Sequence, residues 1–162
     1  MSNNQKSQVS ESLLALREQL AGKYMTFKLA DEKYGLEILK VREIIGLMDI
    51  TRVPKSPPFI KGVINLRGKV IPVLDLRLKF EMEEVEPTDQ TVIIVVQIDN
   101  GENESTMGII VDEVLEVLNI EPDDIEPPPV LSSENENSDF IMGIGKSENK
   151  VIFLLNISNI LS

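Results

Sequence analysis

The sequence predicts a mainly β protein built of two small barrel-like lobes. Three observations support this prediction. Short apolar segments of about four to eight residues recur between turn signals, which is typical of small β-barrels. Residues 60–76 and 141–157 align with one another without a gap, which indicates an internal repeat. The best-defined segment, 59–80, has the pattern of a strand, a tight turn, a second strand and a short helix.

The N-terminal region predicts one helix followed by strands. We expect a polar, disordered tail and then a helix over Ser10–Ala21, with Ser10 as its N-cap. This helix either packs on the domain or binds a partner, and packing is the simpler interpretation. Tyr24–Leu29 and Tyr34–Ile38 are predicted strands around a polar turn, whereas Leu39–Ile45 fits either a helical turn or a strand.

A buried hairpin is predicted over Ile60–Leu76. Both faces of its return strand are apolar, as expected for a strand covered on two sides. Gly68 supplies the positive φ that a tight turn after Arg67 needs. Asp75 is placed to cap the short helix that follows. The segment is also rich in lysine and arginine, so it forms a local basic region in a chain of net charge −11.

The second half repeats this order of elements. It follows an acidic connection, Glu81–Thr88, and ends in a short helix capped by Asn156. The predicted strands are Thr91–Ile98, Met107–Val111, Val114–Ile120, Phe140–Gly145 and Val151–Leu155. The proline-bearing segment Glu121–Pro129 cannot be a central strand, and Leu131–Asp139 is predicted to be a polar loop.

The internal repeat decides the predicted architecture. Matched pairs include Gly35 with Gly108, Gly62 with Gly143, and Asp75 with Asn156. Each half, about 23–80 and 91–161, contains about five short strands, which suits a small barrel of the SH3 or OB type. We therefore predict two intertwined five-stranded lobes that share a hydrophobic core and meet along a groove. Arg67 falls opposite Glu148, so the two turns differ, and we expect a partner contact at Asn65–Arg67.

Composition excludes several kinds of chemistry. The chain has no cysteine and no histidine, so disulfides, thiolate nucleophiles and histidine-based triads are excluded. The pairs Asp112–Glu113 and Asp123–Asp124 are interpreted as solvated turns rather than as metal or acid–base sites. We predict no enzyme activity, metal or cofactor. The acidic balance and 4% aromatic content argue against nucleic-acid binding, the rival use of a small barrel.

No apolar run is long enough to span a membrane, and the N-terminus lacks the apolar core of a signal peptide. These features predict a soluble intracellular protein without direct membrane insertion. With catalysis and nucleic acid set aside, protein surfaces are the remaining expectation. Apolar side chains at the barrel ends and in the groove would provide the binding area, and charged neighbours would select the partner.

Three segments resemble the CheW-like domain family of bacterial chemotaxis. They are YGLEILKVREI (Tyr34–Ile44), PPFIKGVINLRGKVIPVLDLRLKF (Pro57–Phe80) and GIIVDEVLEVLNI (Gly108–Ile120). The second is close to diagnostic, and the resemblance extends over about Tyr24–Leu161. Because no kinase segment precedes the domain and no receiver follows it, we expect a stand-alone coupling protein rather than CheA or CheV. A CheW-like adaptor of a type IV pilus system is the alternative.

The resemblance implies a fold of two five-stranded β-barrels and a non-catalytic adaptor function. The implied partners are the cytoplasmic tip of methyl-accepting chemotaxis receptors and the regulatory domain of the CheA histidine kinase. The implied location is the cytoplasm, at receptor arrays on the inner face of the membrane, and the free protein is expected to be a monomer. Residues 1–22 would be a tail and helix, and residues 23–162 a single CheW-like domain.

The resemblance also implies binding residues. The receptor-binding groove would contain Ile38, Val41, Glu43, Gly62, Arg67 and Val117. Its apolar members would accept a helix stripe, Arg67 and Glu43 would orient the helix through charge-assisted bonds, and Gly62 would permit close approach. The kinase would contact the loop formed by Ile50, Thr51, Arg52, Val53 and Pro54, and Glu126–Leu131 is a possible second contact, although its acidic, proline-rich sequence departs from the family pattern.

Overall fold

Two β-sheets and three helices make up the described part of the chain. The structure is a computed structural model that describes residues 2–99, 101–128 and 139–161, with side chains from residue 11 onward. The helices are α1 (Ser2–Leu20), α2 (Leu76–Lys79) and α3 (Ile157–Leu161). The strands are β1 (Gly22–Leu29), β2 (Glu32–Glu37), β3 (Val41–Gly46), β4 (Ile60–Leu66), β5 (Lys69–Asp75), β6 (Val92–Asp99), β7 (Glu104–Val111), β8 (Glu113–Ile120), β9 (Ile125–Glu126), β10 (Ile141–Ser147) and β11 (Lys150–Leu155). The predicted mainly β class with two lobes is confirmed.

Each sheet takes strands from both halves of the internal repeat. The six-stranded sheet has the order β8-β1-β2-β11-β10-β9, and the five-stranded sheet has the order β3-β6-β7-β5-β4. In each sheet, the first hairpin of one half lies between the third strand and the last hairpin of the other half. The strands of the two halves are joined by one parallel pairing in each sheet. This is β2 with β11 in the six-stranded sheet and β5 with β7 in the five-stranded sheet. The two lobes are therefore intertwined and share one pairing scheme.

Each sheet curls so that its two edges approach one another. In the five-stranded lobe, Thr51 follows edge strand β3 and exchanges two backbone hydrogen bonds of 2.8 Å with Val63 on edge strand β4. In the six-stranded lobe, β9 follows edge strand β8 and pairs with β10. The strand orders themselves stay open. The short β9 also brings this lobe to six strands instead of five, and it lies at the sheet edge, where a proline-bearing segment is tolerated.

Three apolar clusters fill the fold. One, the inter-lobe core, collects side chains from both sheets, and the other two lie inside the individual lobes. In β6, Ile94 and Val96 face the inter-lobe core, whereas Ile93 and Val95 face the interior of the five-stranded lobe. Because side chains alternate between the faces of a strand, this strand is apolar at successive positions.

Helix α1 is longer than predicted. It begins at Ser2, so the expected disordered tail and the Ser10 N-cap are both wrong. The segment from Ser2 to Leu20 contains no glycine or proline, the residues that end or weaken helices most strongly. The polar composition of residues 2–9 is therefore compatible with a helix.

Other element boundaries also differ from the predictions. The ambiguous segment 39–45 contains both structures, since a 3₁₀ turn, Ile38–Lys40, precedes β3. Strand β7 begins at Glu104 rather than at the predicted Met107, because the residues before Met107 continue the ladder with β6. The predicted polar loop Leu131–Asp139 lies outside the described residues except for Asp139.

The central hairpin forms as predicted. Arg67 and Gly68 have φ values of 53° and 86°, the positive pair that a type I′ turn requires. The turn is reinforced by Asn65, whose Oδ1 accepts a hydrogen bond from the N–H of Gly68 at 2.8 Å. Asp75 caps α2 by accepting hydrogen bonds from two of its backbone N–H groups. Burial raises the pKa of Asp75, because the charged carboxylate is desolvated.

An ion pair ties the two lobes together. Arg77 of α2 donates from Nε to Asp112 Oδ1 at 2.8 Å and from Nη2 to Asp112 Oδ2 at 2.6 Å. Asp112 Oδ2 also accepts the N–H of Ala30, in the β1–β2 turn of the other lobe, at 2.8 Å. Burial by itself raises the pKa of Asp112, but the hydrogen bonds from Arg77 and Ala30 outweigh it and hold that pKa below its ordinary value.

We expect Asp112→Asn to lower the free energy of unfolding by about 1–3 kcal/mol at pH 7, because Arg77 loses its charged partner. The folded-state pKa of Asp112 lies below the unfolded value. The ionised carboxylate therefore stabilises the fold above about pH 5, and this contribution is lost as the pH falls through the folded pKa. Urea unfolding should thus show the difference between variant and wild type shrinking toward about pH 3.

The matched control is Asp31→Asn, which removes an exposed carboxylate from the neighbouring turn. It should change the unfolding midpoint little at either pH. If Asp31→Asn reproduced the loss, the effect would reflect the total charge of the chain rather than the pair with Arg77.

Candidate functional site

Two of the predicted receptor-binding residues pair with each other. Arg67 at the β4–β5 turn donates from Nη2 to Oε1 of Glu43 on β3. The side chain of Arg67 is 70% exposed and that of Glu43 is 32% exposed. Because β3 and β4 are opposite edges of the five-stranded sheet, the pair spans the seam where the sheet curls. An exposed pair of this kind adds little stability to the fold. Because both side chains are at least partly exposed, their charges are accessible to a partner.

A β-bulge sorts the side chains of β3 between two faces. The register with β6 shifts between Val41 and Glu43. Val41 consequently packs against the inter-lobe core, while Ile45 packs against the core of the five-stranded lobe. Ile44 lies opposite a β6 residue of the inter-lobe core and is itself 40% exposed. It thus presents an apolar side chain at the edge of that core.

Val117 borders the same core from the six-stranded lobe. It pairs with Met25, a member of the inter-lobe cluster, and is 50% exposed. Ile38 packs against the same cluster from the 3₁₀ turn, and its neighbour Leu39 is 94% exposed. The structure therefore arranges the predicted apolar groove residues around one cluster. We define the inter-lobe face as Ile38, Leu39, Val41, Ile44 and Val117.

Sequence reasoning missed Leu39 and Ile44. A signal for Ile44 was present, because the offset that lays Val41 on Val114 also lays Ile44 on Val117. No such signal exists for Leu39. Its exposure depends on the 3₁₀ turn, which the sequence did not separate from a strand.

Gly62 is buried, and the protein itself fills the space expected to admit a partner helix. It has a φ of 144°, and a Cβ at this position would lie 2.1 Å from the carbonyl oxygen of Thr51. The residue lies where the β4–β5 register shifts, beside the bridge between Thr51 and Val63. The structure thus gives Gly62 a packing role, and its contact with a receptor stays a prediction.

The predicted kinase loop has an anchored part and an exposed part. Ile50 packs against the core of the five-stranded lobe, and Thr51 is held by its bridge to β4. Residues 52–54 are exposed, with Val53 at 38%. The hydroxyl of Ser56 donates to the Val53 carbonyl at 2.7 Å, which fixes the turn. The loop therefore presents a short segment held at both ends.

This loop borders one end of the five-stranded lobe. A cavity of about 400 Å³ there has a mixed lining: the apolar side chains include Leu47, Met48, Ile50 and Val85, and the charged ones are Lys61, Asp75, Arg77, Glu84, Glu86 and Asp112. Leu47, Met48 and Val85 are 39%, 37% and 49% exposed. Sequence reasoning missed these three residues because they lie in irregular segments without periodicity. We call the surface formed by Leu47, Met48, Ile50, Val53 and Val85 the open end.

The possible second kinase contact, Glu126–Leu131, is only partly described. Glu126 on β9 accepts a hydrogen bond from Lys146 at 3.1 Å and lies 3.6 Å from Arg17. Residues 129–131 lie outside the described part of the chain. The contact stays a prediction.

Neither a metal centre nor a membrane span is visible in the ranges that the structure describes. No group of three or more acidic side chains there is arranged to hold a metal ion. No helix in these ranges is both long and apolar enough to cross a bilayer. The features described above are two surfaces, the inter-lobe face with its ion pair and the open end.

Comparison with known proteins gives a consistent result. The model of the CheW-like domain matches residues 23–162. The chemotaxis protein CheW of Klebsiella aerogenes is 36% identical over 154 residues, which cover 92% of this chain and 90% of that protein. CheW of Helicobacter pylori is 35% identical over 138 residues, covering 85% of this chain and 80% of that protein.

The fold agrees with these relatives. The crystal structure of the scaffolding protein TtCheW from Thermoanaerobacter tengcongensis is similar with a TM-score of 0.74 and 39% sequence identity. The superposition covers 85% of this chain and 90% of that one. The similarity therefore extends over both lobes.

Proposed function

Because the chain belongs to the CheW-like domain family, we propose that it is an adaptor that couples chemotaxis receptors to the CheA histidine kinase without catalysing a reaction. The observation that carries this proposal is the presence of two separate surfaces, the inter-lobe face and the open end. A protein that joins two partners needs surfaces that can be occupied at the same time. The family membership supports a chemotaxis role for both.

The inter-lobe face is the proposed site for the cytoplasmic tip of a receptor. Val41, Ile44 and Val117 border one cluster from two lobes, so they can receive an apolar stripe of a helix lying between them. Arg67 and Glu43 lie at the seam beside this face and supply charge-assisted hydrogen bonds that would orient the helix. Gly62 contributes indirectly, by holding the seam in place.

The open end is the proposed site for the regulatory domain of the kinase. It combines exposed apolar side chains with the exposed loop at residues 52–54, in which Ser56 donates a hydrogen bond to the Val53 carbonyl. Apolar centres with a charged rim are typical of protein interfaces, and Arg52 and the Lys61–Glu84 pair supply such a rim. We propose that the protein is a cytoplasmic monomer when free and reaches receptor arrays through its partners.

Two matched valine substitutions test whether the surfaces are separate. Val117→Asp on the inter-lobe face should weaken binding of a receptor-tip fragment roughly tenfold or more and leave kinase binding unchanged. Val53→Asp on the open end should do the reverse. Isothermal titration calorimetry of the full chain with each purified partner measures both constants. Circular dichroism confirms that each variant is folded.

The adaptor proposal also requires a ternary complex. The wild-type chain should carry the receptor fragment and the kinase domain together in one gel-filtration peak, and each variant should lose one partner. If the wild-type chain bound either partner only in the absence of the other, the adaptor function would be wrong. If both partners bound but neither valine variant had an effect, the site assignments alone would fail.

A further inference from the structure

Helix α1 ends on the apolar end of the six-stranded lobe. Leu20 is only 7% exposed and belongs to the cluster inside that lobe, and Leu16 packs against the same cluster one turn earlier. Gly143 leaves room for this contact, since a Cβ there would lie 2.7 Å from Cδ1 of Leu20. Residues four apart share one face of a helix, so this end of the lobe receives a leucine stripe.

Polar contacts fix the orientation of the helix. Arg17, between the two leucines, donates from Nε to the carbonyl oxygen of Ile125 at 3.0 Å, and its Nη2 lies 3.6 Å from Oε1 of Glu126. The hydroxyl of Tyr24 donates to the Leu20 carbonyl at 2.6 Å, which satisfies an acceptor in the last helical turn. The surface that α1 contacts therefore offers an apolar depression, a carbonyl acceptor (Ile125) and a carboxylate (Glu126).

Two further observations indicate that the helix is not part of the architecture that the two lobes share. The region matched by the family model begins at residue 23, so α1 lies outside it. The corresponding end of the five-stranded lobe carries no helix in the segment that precedes β6, residues 83–90, and Leu47 and Met48 are exposed there. The two lobes thus share the same strand pairing, but α1 covers the end of the six-stranded lobe while the end of the five-stranded lobe is open.

We infer that the end of the six-stranded lobe is a docking site for an amphipathic helix and that α1 occupies it as a removable cap. The fitting partner is a helix with two leucine-sized side chains four residues apart and an arginine or lysine between them. Its cation would replace Arg17 at the Ile125 carbonyl and the Glu126 carboxylate. Such a helix and α1 exclude one another, so the chain has one accessible lobe end with α1 seated and two without it. The site shares Glu126 with the possible second kinase contact, but the occupant inferred here is a helix and not the kinase domain.

Two natural methionines report on the two ends. Met142 is half-buried and packs against the cluster that receives α1, and Met48 lies at the open end. The experiment uses the full chain with ¹³C-methyl methionine and a soluble paramagnetic reagent, and compares wild type with Leu16→Asp. The matched control is Leu14→Asp, because Leu14 is on the same helix and is 52% exposed.

We expect Leu16→Asp to increase the paramagnetic relaxation of the half-buried Met142 methyl about twofold or more, since loss of the Leu16 contact favours the state without α1 on the lobe. Leu14→Asp should leave it unchanged. A hydrocarbon-stapled peptide of residues 10–22, added in trans, should shield Met142 again in the Leu16→Asp chain and have no effect on wild type. An unchanged Met48 signal shows that the five-stranded lobe remains folded.

Two results would overturn the inference. If Met142 stayed shielded in Leu16→Asp, α1 would not be a removable cap. If Met142 became accessible but excess stapled helix failed to shield it, the end would not be a helix-docking site. Should Leu16→Asp fail to fold, Gly143→Ala provides the same test from the lobe side, because the added methyl group displaces Leu20.

Discussion

Gly62→Ala is expected to lower the free energy of unfolding by about 2–5 kcal/mol, because two unfavourable effects coincide at this position. The φ of 144° is rarely adopted by residues with a side chain, and the new methyl carbon would lie 2.1 Å from the Thr51 carbonyl oxygen. That oxygen belongs to the backbone bridge with Val63, so it cannot move without breaking the link between the two sheet edges. Urea unfolding followed by circular dichroism measures the loss.

Gly68→Ala is the matched control. Gly68 also has a positive φ, 86°, but a Cβ there would meet no atom within 4 Å. The decrease in the free energy of unfolding of Gly68→Ala should therefore be limited to the cost of a positive φ at a residue with a side chain, about 1 kcal/mol. If both variants unfolded at the same urea concentration, the close approach to Thr51 would contribute nothing. Any receptor-binding defect of Gly62→Ala should disappear when binding is corrected for the folded fraction.

Arg67→Glu is expected to weaken binding of a receptor-tip fragment about 10–100-fold, as loss of an interface arginine commonly does. The same change should alter the free energy of unfolding by no more than about 1 kcal/mol, because the pair with Glu43 is exposed. Calorimetric titration of the receptor fragment and urea unfolding of the free chain give the two quantities. A large binding loss with a small stability loss would identify Arg67 as a recognition residue.

The charge swap Glu43→Arg with Arg67→Glu separates recognition from stability. The double variant restores an ion pair across the seam with the charges reversed. We expect it to regain wild-type stability but not receptor binding, since the receptor would meet the opposite arrangement of charge. Recovery of binding would mean that the pair only holds β3 against the turn. Glu148→Lys, in the corresponding turn of the six-stranded lobe, should leave receptor binding unchanged.

Local chemistry made the hairpins and caps predictable. Gly68 and Asp75 act through their own backbone and near neighbours, so the sequence pattern around them was sufficient. The β-branched residues of the apolar segment 91–98 likewise indicated a strand. The repeat supported two lobes, and the family resemblance supplied six groove residues, of which Ile38, Val41 and Val117 lie around the inter-lobe core.

Long-range geometry was not predictable in this way. Nothing in the periodicity of β1 or β2 indicates that they pair with β8 and β11 from the other half of the chain. Similarly, the close approach of Thr51 to Gly62 joins segments whose sequences carry no mutual signal. The open end was missed because Leu47, Met48 and Val85 come together only after the sheet has curled.

The exchange of strands between halves has a consequence for biosynthesis. When the ribosome has released only the first half of the chain, β1 and β2 lack their neighbours β8 and β11, while β3, β4 and β5 lack β6 and β7. Neither lobe can be completed at that stage, and non-local pairing of this kind is slow. The nascent first half therefore exposes two incomplete sheets until translation ends. Fragments divided between residues 84 and 85 should each remain unfolded alone and recover the native fold only when mixed.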